Sequence, residues 1–199
     1  KLTQLAEQKS AAQIQSLSQQ SFKWLAEKIS SLRDPSRRIP ASINKETFRQ
    51  VDRSALGGLY FFYYNPKTKD DLPYYDTFPL VLILERYPDG FLGLNLHYLP
   101  IKYRIAFLGK LLQYAVMTPE NEIKRIRITY DILNATRNLK EFRVCIKRYL
   151  TNQIRSKILM VQPNEWDVAT YLPIQQFKKA KPKEVWQESV NTIRNKNQK

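Results

Sequence analysis

The stretch Gly57–Pro100 constrains the fold more than any other part of the chain. It reads GGLYFFYYNPKTKDDLPYYDTFPLVLILERYPDGFLGLNLHYLP and holds four of the five glycines and five of the eleven prolines. Between those breakers lie three apolar runs of strand length, Leu59–Tyr64, Leu80–Leu84 and Phe91–Tyr98. Runs of this kind bounded by Gly, Pro and Asp read as antiparallel strands. In the third, Phe91, Gly93, Asn95 and His97 alternate with Leu92, Leu94, Leu96 and Tyr98, the pattern of a half-buried strand. Pro88-Asp89-Gly90 marks a tight turn before it, because proline presets φ and glycine accepts φ > 0. A twisted meander of short strands removes its exposed edges by rolling up. The fold class expected is therefore α+β: a small antiparallel β-barrel, with a long N-terminal helix and several C-terminal helices.

The flanks supply the helices. Residues 1–32 lack Gly and Pro; the first twenty, with six glutamines, are weakly amphipathic. From Leu17 the pattern firms, and Leu17, Trp24, Leu25 and Ile29 form a candidate protein-interaction face at helical spacing. Asp34-Pro35 ends this helix. The reading is a helix over 1–33, a linker over 34–56 and one α+β domain over 57–199, with its barrel core at 57–100 and a basic helical part at 101–199. Within that part Lys102–Met117 places Ile105, Leu108, Leu111, Leu112 and Ala115 on one face. Glu141–Lys157 places Phe142, Cys145, Ile146, Tyr149, Leu150 and Ile154 on another. Ile123–Leu133 is ambiguous between strand and helix. A short segment, Trp166–Leu172, precedes a last helix opened by Pro182 and carrying Val185, Trp186, Val190 and Ile193.

Composition narrows the function. At 199 residues and 43% hydrophobic the chain is too apolar to be disordered, and one domain with a real core is expected. No apolar run reaches the roughly 18–20 residues that span a bilayer, and no charged-then-apolar leader is expected at Lys1. A single Cys and a single His speak against a disulfide framework, a metal cluster or any cofactor they would hold. No glycine-rich phosphate loop and no G-x-S-x-G elbow is present. The net charge of +15 is unevenly placed: residues 101–199 carry 20 Lys/Arg against 8 Asp/Glu, and residues 1–100 carry 13 against 10. Such asymmetry fits a partner rich in negative charge, nucleic acid first, or an acidic protein. The candidate phosphate ligands are Lys140, Arg143, Lys147, Arg148 and Arg155 on the expected Glu141–Lys157 helix, with Lys178, Lys179, Lys181 and Lys183 beyond it. Contacts of that type hold a duplex without reading its sequence.

Two groups carry a choice of readings. Asp70, Asp71 and Asp76, with His97, have the chemistry for acid–base work or Mg²⁺ binding. As loop chemistry, Asp76 instead caps the turn into Phe78-Pro79 and His97 is a structural hydrogen-bonder. The run Tyr60-Phe61-Phe62-Tyr63-Tyr64 either stacks on bases or fills a core, and core packing is the favoured reading.

The pattern G-x-L-Y-F-F-Y-Y-N-P-K-T-K-D-D-L-P-Y-Y-D-T-F-P-L, followed by G-F-L-G-L-N-L-H-Y-L-P, resembles the DNA end protector family of large contractile-tailed bacteriophages. The resemblance extends through E-F-R-V-C-I-K-R-Y-L and Glu165-Trp166-Asp167-Val168-Ala169, over roughly residues 20–190. It implies a non-enzymatic virion protein that acts at head completion, binds double-stranded DNA ends and shields them from exonucleases. It further implies other structural proteins of a virion ring as partners, and a location in the virion and, during assembly, the host cytoplasm. A structural neck, tail or baseplate component is the alternative. A weaker similarity, at Phe78-Pro79-Leu80-Val81-Leu82, is to the barrel of PemK/MazF-type toxin ribonucleases, and it implies that the β-barrel is Src-homology-like; Phe78 stands where that family has an arginine, which speaks against its activity.

Overall fold

The computed structural model describes Lys23, Trp24, Ala26 and residues 56–116, 131, 140–161, 165–170 and 174–195. These residues form seven strands: β1 (Leu59–Phe61), β2 (Tyr75–Asp76), β3 (Leu80–Tyr87), β4 (Gly90–Asn95), β5 (Ile146–Leu150), β6 (Leu159–Val161) and β7 (Phe177–Lys178). Five of them make an antiparallel sheet in the order β5-β4-β3-β1-β6, and β2 pairs with β7 in a separate ribbon. The β3–β4 hairpin turns at Pro88-Asp89, with Tyr87 opposite Gly90, as the turn signature requires.

β3 is the centre of the sheet. Its Leu80–Leu84 run is buried on both faces, which is why it reads as continuously apolar rather than alternating. One face packs Leu59, Phe61, Leu80, Leu82 and Leu94 under the helices, with Phe61 stacked on Phe78 at 5.4 Å. The other face gathers Tyr60, Phe62, Tyr64, Val81, Ile83, Phe91, Tyr149 and Ile154 into a second cluster, in which the Phe62 ring meets Tyr149 edge-on at 5.4 Å. The aromatic run thus splits by strand alternation between two cores. A bulge between Ile83 and Glu85 curls the sheet around this second cluster.

The curl does not close, and the expected barrel is corrected to an open sheet. β5 and β6 are its edges; no ladder joins them among the described residues, and the isolated antiparallel bridge between Tyr64 and Ile154 lies beyond the β1–β6 pairing. Arg155 N–H donates to the Tyr63 carbonyl at 2.7 Å and Tyr63 N–H to Ser156 Oγ at 2.8 Å, so the chain after β1 is laced to the segment that leads into β6.

The helical expectation is corrected as well. Among the described residues two helices exceed two turns, α1 (Ile101–Val116) and α3 (Pro182–Asn195); α2 (Trp166–Thr170) is short, and Leu96–Tyr98, Lys140–Cys145 and Thr151–Gln153 are 3₁₀ turns. Of the long N-terminal helix, Lys23, Trp24 and Ala26 are described and helical; Leu17, Leu25, Ile29, the 34–55 linker and, apart from Asp131, the Ile123–Leu133 segment lie outside the described residues. The Glu141–Lys157 helix is replaced by a 3₁₀ turn, strand β5 and a second 3₁₀ turn. The reason is tertiary: β4 offers a bare ladder edge that must be paired, and Ile146 and Tyr149 suit a strand as well as a helix.

Candidate nucleic-acid interface

The carboxylate–histidine pair suspected in the sequence is real but sealed. β2, held by β7, carries Asp76 under the Leu96–Tyr98 turn, where Asp76 Oδ2 lies 2.7 Å from His97 Nδ1. Asp76 Oδ2 also accepts from Asn95 Nδ2 at 3.3 Å, and Oδ1 accepts from the N–H groups of Phe78 at 3.0 Å and Gln176 at 3.2 Å. The residues are 4% and 0% exposed. Burial alone would raise the Asp76 pKa, but His97 and the N–H donors outweigh it and hold the carboxyl below its usual range. Burial, reinforced by the Arg104 charge, pushes His97 below its usual value despite the opposing pull of Asp76. The imidazole is therefore neutral, with its proton assigned to Nδ1 by the Asp76 bond. Its buried Nε2 has no partner among the described residues.

Arg104 completes this knot. It is fully buried, and its Nε donates to the Leu99 carbonyl at 2.7 Å. Its Nη2 donates to the His97 carbonyl at 3.2 Å and to Gln175 Oε1 at 3.1 Å. Burial lowers its pKa to about 9, which leaves it charged at neutral pH. Trp186 Nε1 donates to the same His97 carbonyl at 2.9 Å. The group is an architectural clamp that joins β2, the Leu96–Tyr98 turn, α1 and α3. Asp76 caps its turn and His97 is a structural hydrogen-bonder, while Asp70 and Asp71 sit exposed in the loop. No group of three or more His, Cys, Asp or Glu among the described residues could hold a metal, and burial pushes the Cys145 thiol up to about 12, far from a reactive thiolate.

The nine candidate cations do not form one stripe. Because β5 is a strand, successive residues diverge. Lys147 is turned over the Tyr98 ring, its Nζ 4.2 Å from the centroid, and burial lowers its pKa. Arg148 points to the β3–β4 turn, pairs with the Asp89 carboxylate and lies over Tyr87. Arg143 and Arg155 are exposed; Arg155 bonds Gln153 Oε1 at 3.2 Å. Of Lys140 the backbone alone is described.

The other four gather on the turn between β7 and α3. Lys179 takes a left-handed φ of 66° and its ammonium donates to the carbonyls of Asp70 at 2.8 Å and Leu72 at 3.0 Å. It thereby holds the loop after β1 against this turn. Lys178, Lys181 and Lys183 are exposed beside it. Glu184 accepts from the Lys181 N–H at 2.9 Å, the carboxylate half of a capping box. The start of α3 is thus already occupied by an acid, and the lysine side chains are what this surface offers an anion. Trp24, expected on a protein-interaction face, packs inward: its indole N–H donates to Glu165 Oε1 at 2.9 Å and its ring lies 6.1 Å from Phe61.

A family model described as phage T4 terminal DNA protecting protein matches residues 2–191. No curated protein and no solved structure matches the chain.

Proposed function

The chain belongs to the phage T4 terminal DNA protecting protein family, and from that premise we propose that it is a non-enzymatic virion protein which holds the duplex at a genome terminus through phosphate contacts at head completion. The observation that carries the reading is the exposed lysine group Lys178, Lys181 and Lys183. Ammonium groups on an exposed turn suit the regular charge of a DNA backbone, since each neutralised phosphate releases condensed counterions. Arg143, Arg155 and Lys140 are secondary ligands in this proposal. Lys147, Arg148 and Lys179 are engaged within the protein and act as supports. Other structural proteins of a virion ring are the further partners in this proposal.

The test is protection of a linear duplex against a processive exonuclease. The wild-type protein is expected to slow digestion in proportion to occupancy. The variant carrying Lys178→Glu, Lys181→Glu and Lys183→Glu is expected to lose that protection, because three favourable contacts become repulsive. Equal protection by both proteins would remove this surface from the DNA contact. A wild-type protein that leaves digestion unchanged would instead favour a purely structural role.

A further inference from the structure

Phosphate contacts do not separate a DNA end from the middle of a duplex, because every step of the backbone carries the same charge. What an end alone exposes is the flat face of its last base pair, and aromatic side chains are the groups that stack on bases. The exposed large hydrophobic side chain of the described residues is Tyr87, 39% accessible, at the tip of the β3–β4 hairpin. The Arg148 guanidinium lies over its ring, 4.3 Å from the centroid. That guanidinium is held by three acceptors: the Phe91 carbonyl at 3.2 Å, the Tyr149 carbonyl at 2.9 Å and the Asp89 carboxylate. The tip itself is fixed by Thr151 N–H donating to the Asp89 carbonyl at 2.9 Å.

A fixed guanidinium and an exposed aromatic ring therefore lie together at the end of the hairpin. The charge of Arg148 is balanced by Asp89, which makes the pair a poor phosphate ligand and a suitable platform for an uncharged π-face. We propose that Tyr87, backed by Arg148, reads the DNA end by stacking on the terminal base pair. The proposal rests on the terminus-binding function above and adds the element that makes binding end-selective.

The experiment compares the affinity of the full chain for a blunt linear duplex and for a closed circle of the same sequence. The wild-type protein is expected to prefer the linear form. Tyr87→Ala and Tyr87→Leu are expected to lose roughly tenfold on the linear duplex, the fold-change of removing one base–aromatic stack, with affinity for the circle unchanged. Tyr87→Phe keeps the preference. Unaltered binding to the circle also shows that the variants are folded. Equal weakening on both substrates, or no loss on either, overturns the proposal while leaving the phosphate reading intact. A wild-type protein that binds both forms equally overturns end-reading by stacking, and one that binds neither overturns the terminus reading and this inference with it.

Discussion

Asp76 and His97 show how a pair with catalytic credentials becomes a structural clamp. Four donors surround the Asp76 carboxylate, and the nearest cation of the knot, Arg104, satisfies itself on carbonyls instead of pairing with it directly. A buried charge is tolerated only with such a shell. The consequence is a pH dependence with a definite sign. The folded-state pKa of His97 is depressed, so below its unfolded value of about 6.5 the unfolded chain binds a proton that the native chain refuses. Stability is fully present above that pH and falls as pH drops through the window, by up to about 1.4 kcal/mol per pH unit. Asp76, also depressed, extends the loss in the same direction nearer pH 4. His97 is the chain's one histidine, so no second imidazole blurs the reading. Urea denaturation of the wild type from pH 8 to 5 should show the decline, and His97→Gln should flatten it between pH 7 and 5. Parallel curves would refute the assignment. The turn-capping role of Asp76 was legible in sequence because its partner, Phe78 N–H, is two residues away. Arg104 was not, because nothing local distinguishes an arginine that will be buried, and one of its acceptors, Gln175, is 71 residues distant.

At the scale of elements, three of the four strands of the Gly57–Pro100 stretch, β1, β3 and β4, and the helix opened by Pro182 were readable, since Gly, Pro and alternation act locally. β5 was not: residues 141–157 satisfy helical spacing on one face, and what makes part of them a strand is the edge of β4, more than fifty residues earlier. The barrel expectation failed for a related reason. Closure needs the two edge strands to meet in register, and strand patterns do not encode that. Gly90 makes the β4–β5 pairing possible, because a Cβ there would sit on the Tyr149 carbonyl and crowd Arg148. Gly90→Ala is expected to cost about 1–3 kcal/mol through overpacking. Gly109, inside α1, has nothing within 4 Å of an added Cβ, so Gly109→Ala should stabilise by about 0.5–1 kcal/mol through helix propensity. Opposite shifts of the two denaturation midpoints would bear this out; a neutral Gly90→Ala would mean that β5 is not locked to β4 as described.

For the whole molecule the question is whether DNA responds to a place or merely to a net charge of +15. A diffuse basic surface attracts a polyanion through any of its cations. A built interface does so through few. The proposed interface is of the second kind: Lys147 and Lys179 are engaged within the protein and Arg148 is balanced by Asp89, while Lys178, Lys181 and Lys183 stand exposed from the end of β7 to the start of α3. The slope of log affinity against log salt separates the cases, because each phosphate contact contributes about −0.9 on duplex DNA. Replacing those three lysines with glutamine should make the slope less negative by about 2–3, equally on linear and circular duplexes. The matched control neutralises the exposed Lys23, Lys102 and Lys157, which lie on other elements and change net charge by the same amount. If charge alone governed binding, the two triple variants would shift the slope alike. A shift confined to the β7–α3 turn would place the phosphate track there, and a Tyr87 variant should leave that slope untouched, because a stacked base pair releases no counterions.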